Sequence, residues 1–202
     1  MILINKQFEK YSKSVCDKVD VEEGEIIGAK LLQELSNSKN GIGLAAPQIG
    51  ITKRVCVINV KEPLVFINPE IIESDGEFIF KESCLSYPKK VVSVKRHTMI
   101  TIDANNLDEP LVFDLKISSS SEDILEIACI QHEIDHLDGI TMFDRKFVRE
   151  PIKTEKKYGR NEIVIIMKKD KKHTKKLKWK KAKSLIDSGS WEIFTYSGGL
   201  KT

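Results

Sequence analysis

The sequence predicts an α+β fold in which antiparallel and mixed strands pack around one central, metal-binding α-helix. Three observations lead there: an early helical stripe, a middle region of short β-branched runs divided by turn residues, and a late capped helix carrying metal-ligating side chains. Runs of strands gathered before a helix, without strict alternation of the two, argue against βαβ units.

From Glu23 to Ser36 the apolar residues Ile26, Ile27, Leu31, Leu32 and Leu35 recur at helical spacing and form one stripe. The polar stretch Asn37-Ser38-Lys39-Asn40-Gly41 stops that helix. Taken alone, residues 41–50 (Gly-Ile-Gly-Leu-Ala-Ala-Pro-Gln-Ile-Gly) read as a glycine-rich loop with small packing residues. Gln48 within it offers an amide donor suited to a developing oxyanion. Strands are expected over 54–60, 64–68, 77–80, 91–94, 99–104 and 111–117, with residues 105–110 forming a turn. The serine run 118–121 then supplies an N-cap, Ser120 or Ser121, ahead of Glu122 and Asp123 at the positive helix end. Asp138-Gly139 ends this central helix, and Ile124, Leu125, Ala128 and Cys129 continue the face that carries its histidines.

That helix contains Gln131-His132-Glu133-Ile134-Asp135-His136, an HExxH pattern. A four-residue step places His132 and His136 one above the other, with Glu133 beside them and suited to handling a proton. A zinc-type catalytic site needs a third protein ligand and an open position for water. Of the four cysteines, Cys16 lies in a polar stretch, Cys56 in an apolar run and Cys129 on the helix itself, where a small buried role suits it better than ligation. Cys84 follows a strand and precedes Pro88, in a segment read as a loop able to present a thiolate. His97 and His173 read as ordinary solvated histidines, and Asp135 as a carboxylate that orients groups around the ligands.

In this order, Gly41–Gln48, Glu82-Ser83-Cys84-Leu85-Ser86 and Gln131–His136 resemble the motifs of peptide deformylase over roughly residues 1–148. The resemblance implies removal of the formyl group from formylmethionine at the start of nascent peptides, releasing formate. It implies one divalent metal on Cys84, His132 and His136, Fe(II) before Zn, Ni or Co, with Glu133 as proton carrier. Gln48 and the Leu85 N–H would hold the oxyanion. Ile42 and Gly43 would align the peptide, with Ile42, Leu125, Ala128, Cys129 and His132 around the methionine side chain. Four positions depart from the pattern. Ser83 replaces a usual glycine but keeps a carbonyl for the substrate, Val91 stands where many bacterial members have arginine, and Glu126 and Ala128 differ from the larger or apolar residues often found there. A different HExxH metallopeptidase fits less well, because that class usually takes its third ligand downstream as His or Glu. A ribosome- or RNA-binding protein with a relict metal site is the other alternative.

Length favours one domain with an appendage: a catalytic domain over 1–148 and a basic C-terminal extension over 149–202. The formal charge of +3 hides an asymmetry, since residues 145–202 hold 18 Lys or Arg against 6 Asp or Glu, and residues 1–144 hold 15 against 24. The lysine run 168–181 reads as a solvated face, while Ile163–Met167 and Trp191–Tyr196 argue for a small hairpin or docked appendage. Charge and the expected substrate together suggest a ribosomal partner for this extension. No stretch approaches a membrane span, and neither the N-terminus nor the cysteine spacing suggests export, so a cytoplasmic location is the expectation, with an organelle matrix or an infected host's cytoplasm also compatible.

Overall fold

The computed structural model describes residues 1–148, 158–170 and 172–194. The chain divides into two compact units, Met1–Phe147 and Val148–Thr202.

The first unit opens with a short helix α1 (Lys6–Glu9) and the longer α2 (Val21–Ser36). α2 begins two residues ahead of the expected start because the Asp20 carboxylate caps it, accepting from the Glu23 N–H at 2.8 Å. Next come β1 (Gly43–Ala45), β2 (Val55–Asn59) and β3 (Pro63–Ile67), an antiparallel sheet in that order. Residues 41–50 are therefore not simply a loop. They contribute an edge strand and then a 3-10 turn, Ala46–Ile49.

This sheet is covered on both faces. Val55, Val57 and Ile67 pack with Ile27, Leu31 and Leu35 of α2, whereas Cys56, Ile58 and Phe66 join a cluster on the opposite face. The unbroken run Val55-Cys56-Val57-Ile58 reflects that double burial. α2 lies close to the sheet through Gly24 and Gly28, where an added Cβ would fall 2.5 Å from the side chains of Ile67 and Val65 respectively.

The remaining strands are β4 (Glu70–Asp75), β5 (Phe78–Cys84), β6 (Tyr87–Arg96), β7 (Met99–Asp103) and β8 (Leu111–Asp114). β5 and β6 form a hairpin, and a second antiparallel sheet has the order β4-β7-β8. β4 has no counterpart in the sequence expectations: all six of its residues are exposed, so it shows no alternating pattern. β5 and β6 also run longer than expected, and β8 ends at Asp114.

α3 (Ser121–Leu137) is the central helix. Ser120 caps it, with Asp123 N–H donating to Ser120 Oγ at 3.1 Å and Ser120 N–H donating back to Asp123 Oδ2 at 2.8 Å. Gly139 follows the helix at φ +69, the left-handed geometry that a glycine tolerates there. Ile127, Ile130, Ile134 and Leu137 bury one side of α3 with Cys56, Ile58, Phe66, Ile100 and Ile102 of the sheets. The class is α+β, with strands around a central helix.

In the second unit β9 (Ile163–Lys168) lies between β10 (Thr174–Lys178) and β11 (Trp191–Ile193), all antiparallel, with helix α4 (Trp179–Asp187) connecting the last two strands. Val164, Ile166 and Ala182 form a small core with Tyr158, Trp179 and Trp191 around it. The two apolar runs expected to form a small hairpin or docked appendage supply β9 and β11, which pair antiparallel, but the lysine run is not merely a solvated stretch: its second half is the strand β10 and the start of α4. Lys175 Nζ lies 4.8 Å from the centre of the Trp191 ring, a cation–π contact. Thr195 and Tyr196 of the predicted apolar run lie outside the described residues.

Candidate metal centre

α3 carries His132 and His136 on one face, 7% and 1% exposed, with ring centroids 4.7 Å apart. Cys84 is the last residue of β5, so strand rather than loop presents its sulfur. A register shift between Ser83 and Cys84 re-aims the strand there. Cys84 Sγ comes within 3.4 Å of His136 Nε2, and the ligand atoms of Cys84, His132 and His136 all lie within 4.8 Å of one another.

These residues fit a divalent ion. Sulfur and two imidazole nitrogens converge, and among the described residues no fourth protein donor completes the group, which leaves a position for water or substrate. His132 Nδ1 lies 2.9 Å from Glu82 Oε2. A carboxylate only accepts, so Nδ1 carries the hydrogen and Nε2 is left for ligation. Burial opposes charge on His132, but hydrogen bonds to Cys84 and Glu82 outweigh it and push its pKa well up. Burial, then the neighbouring His132, pushes His136 well down. Its Nδ1 and Glu133 Oε2 are buried polar atoms with no partner among the described residues. Orphans of this kind are uncommon inside proteins and here cluster at the ligands.

Glu133 is buried against backbone. A Cβ on Gly43 would fall 2.5 Å from both Glu133 Oε1 and Cys129 Sγ, so only glycine lets β1 approach the carboxylate this closely. Burial pushes the Glu133 carboxyl up to about 7, partly offset by His132. Cys129 donates its thiol toward the Ile42 carbonyl at 3.6 Å and is not a member of the ligand group. Burial raises its pKa, consistent with a neutral packing thiol.

A buried ion network fastens the ligands from behind. Arg96 on β6 donates to Glu82 through Nε at 2.6 Å and Nη2 at 2.9 Å, and to Asp135 through Nη1 at 2.6 Å. Arg145 Nη2 reaches the other Asp135 oxygen at 2.7 Å. Burial works against the Glu82 charge, yet hydrogen bonds from His132 and Arg96 hold its pKa below the usual value. Sequence reasoning assigned neither Glu82 nor Arg96. Glu82 had a readable signal, since a residue two before Cys84 on a strand shares its face. Arg96 had none, because its partners are 14 and 39 residues away. Glu82→Gln should keep the fold but weaken metal binding roughly 10- to 100-fold, read by chelator competition. Unchanged affinity would show that the Glu82–His132 contact does not orient the ligand.

A cavity of about 340 Å³ opens beside the ligands. Ile42, Gly43, Ser83, Leu125, Ala128 and Cys129 line it, together with Gln48, Leu85 and Glu133. Ile124, grouped with that helix face by spacing, is not among the lining residues, and Val91 is 65% exposed on β6 away from it. Gln48 is anchored in the 3-10 turn: its Oε1 accepts from Ala45 N–H at 2.8 Å, while Nε2 donates to Ser86 Oγ at 3.1 Å and toward Cys84 Sγ at 3.5 Å. His97 is half-buried: its ring Nδ1 lies 3.1 Å from the Gly76 carbonyl oxygen, and its backbone N–H and C=O both bond the Gln131 side chain.

The family model for polypeptide deformylase matches residues 3–153. A peptide deformylase from Acetivibrio thermocellus is 39% identical over 153 residues, covering 73% of this chain and 85% of that protein. One from Buchnera aphidicola is 38% identical over 175 residues, covering 84% of each chain. Among solved structures, the peptide deformylase from Thermotoga maritima superposes with a TM-score of 0.61 at 27% identity, over 73% of this chain and 97% of that one. The enzyme from Synechococcus elongatus, solved in complex with actinonin, gives 0.61 at 32% identity over 74% and 79%. With the family model spanning nearly all of the first unit and the ligand cluster inside that span, the chain belongs to the polypeptide deformylase family.

Proposed function

We propose that the first unit removes the formyl group from N-terminal formylmethionine of nascent polypeptides, releasing formate, through a divalent metal on Cys84, His132 and His136. The observation that carries this is the buried Cys-His-His cluster beside an unpartnered Glu133 carboxylate, opening onto a largely apolar cavity, in a chain of the deformylase family. Fe(II) is the favoured ion, and Zn, Ni or Co suits the same donors. A bound ion supplies Lewis acidity and lowers the pKa of an attacking water to about 7.

The residues of the chain do the rest. Glu133 accepts a proton at its free Oε2 and passes it to the departing amine. Ile42 and Gly43 on the β1 side align the peptide backbone, and Ser83 faces it from β5. Leu125, Ala128 and Cys129 enclose the methionine side chain. Gln48 Nε2 has one firm bond, to Ser86, and one long contact, to sulfur; the hydrogen of the second is available to an oxyanion, with the Leu85 N–H beside it. A metallopeptidase reading is disfavoured because the third donor comes from β5 rather than from downstream of α3.

The decisive assay is anaerobic formate release from formyl-Met-Ala-Ser by protein loaded with Fe(II) or Co(II). Release without cleavage of unformylated peptides is expected; cleavage of internal bonds without formate release would overturn the reading.

We further propose that the second unit docks the enzyme on the ribosome in the cytoplasm, through phosphates met by Lys176 and Lys178 on β10, both exposed. Co-sedimentation with ribosomes should decline as salt rises, and the log–log slope should be smaller by roughly 0.7–0.9 for each phosphate that Lys176→Gln or Lys178→Gln no longer neutralises. Absence of association at about 50 mM salt would remove this partner.

A further inference from the structure

Lys39, Lys81 and Lys89 line the mouth of the site cavity. They come from three separate segments: the turn after α2, strand β5 and strand β6. All three are exposed, and among the described residues none has an ion pair or a side-chain hydrogen bond. Of the other eleven lysines in residues 1–147, five are paired: Lys13 with Asp144, Lys18 with Glu70, Lys61 with Asp123 and Glu126, Lys95 with Glu77, and Lys116 with Asp75. What sets the three apart is their convergence on one opening, in a stretch, residues 1–144, that holds 24 acidic against 15 basic side chains. An acidic unit thus keeps three unneutralised cations at the entrance to its site.

No exposed carboxylate is among the described residues that line the cavity. The two acidic residues that line the cavity are Glu82, held by Arg96 and His132, and Glu133, which is buried. Lys89 also sits at φ +65, a conformation more suited to glycine or asparagine, so a long cationic side chain is retained at a backbone position that disfavours it.

We propose that these three lysines form a cationic rim that selects formylated chains carrying Asp or Glu in the residues just after formylmethionine. The inference rests on the deformylase reading. A chain whose first side chain fills the cavity must leave through the mouth, advancing about 3.3 Å per extended residue. Its next side chains therefore pass the rim. Complementary charge there raises the encounter rate and disfavours basic chains.

The test compares kcat/KM for three amidated peptides, formyl-Met-Glu-Glu-Glu, formyl-Met-Ala-Ser-Ala and formyl-Met-Lys-Lys-Lys, at low ionic strength. A gain of roughly threefold per lysine is expected for the acidic over the neutral peptide, with the basic peptide below both. The preference should shrink toward unity in wild-type protein at about 0.5 M NaCl, where the screening length falls to about 4 Å. In Lys39→Ser/Lys81→Ser/Lys89→Asn, Asn being chosen to tolerate the positive φ, the acidic-to-neutral ratio should fall toward one. The ratio is internal to each protein, and the salt series needs no variant. Equal rates on all three peptides in low salt, or an unchanged ratio in the triple variant, would overturn the rim while leaving the deformylase reading intact. Failure to release formate from any peptide would overturn both.

Discussion

Replacing Glu133 with alanine is expected to lower kcat for formate release by roughly 10²- to 10⁴-fold while leaving one ion bound per chain. The separation of these two outcomes follows from geometry. Cys84, His132 and His136 form the donor group without Glu133, whose Oε2 has no hydrogen-bond partner among the described residues. Removing it therefore takes away a proton carrier and leaves the ligands in place. Glu133→Gln is the stricter test, because it keeps shape against Gly43 while removing basicity. Metal content by atomic emission and turnover by formate release decide the matter. A variant that keeps its activity eliminates Glu133 as the base, and one that loses its metal reassigns it to ligand support.

The largest effect on stability is expected from Arg96→Met, about 3–5 kcal/mol in chemical denaturation. Arg96 is 3% exposed and stands between two carboxylates, Glu82 and Asp135, that are themselves buried. Arg145 still reaches Asp135 in the variant, but Glu82 keeps only His132. An uncompensated buried carboxylate is the main cost, more than the missing attraction itself. A double variant, Arg96→Met with Glu82→Gln, should recover part of the stability, because the stranded charge is gone. A destabilisation below about 1 kcal/mol in the single variant would mean that water reaches the network and solvates it.

Much of this arrangement was legible in the chain, for identifiable reasons. The capped helix α3 is local chemistry: Ser120, Asp123 and the left-handed Gly139 each act within a few residues of a helix end. HExxH is local too, since one helical turn is enough to stack two imidazoles. Cys84 could be singled out by its context, though its place on a bulged strand end could not. The strand β4 stayed hidden because exposure on every side removes the alternation that marks a strand. Arg96 stayed hidden for a different reason: its significance exists only once β5, β6 and α3 meet. The lysines at the cavity mouth are of the same kind, coming together from three stretches of chain that share no pattern.

The ion network behind the ligands has a consequence for how the metal is exchanged. β5 supplies the sulfur and α3 the two nitrogens, yet these elements are already tied to each other by Arg96 through Glu82 and Asp135. Folding, not the ion, has settled the entropy of assembling the donors. Small zinc domains differ, because in them the metal itself holds the chain together. Here a chelator is expected to strip the ion while the first unit keeps its fold, an outcome that circular dichroism before and after chelation would check.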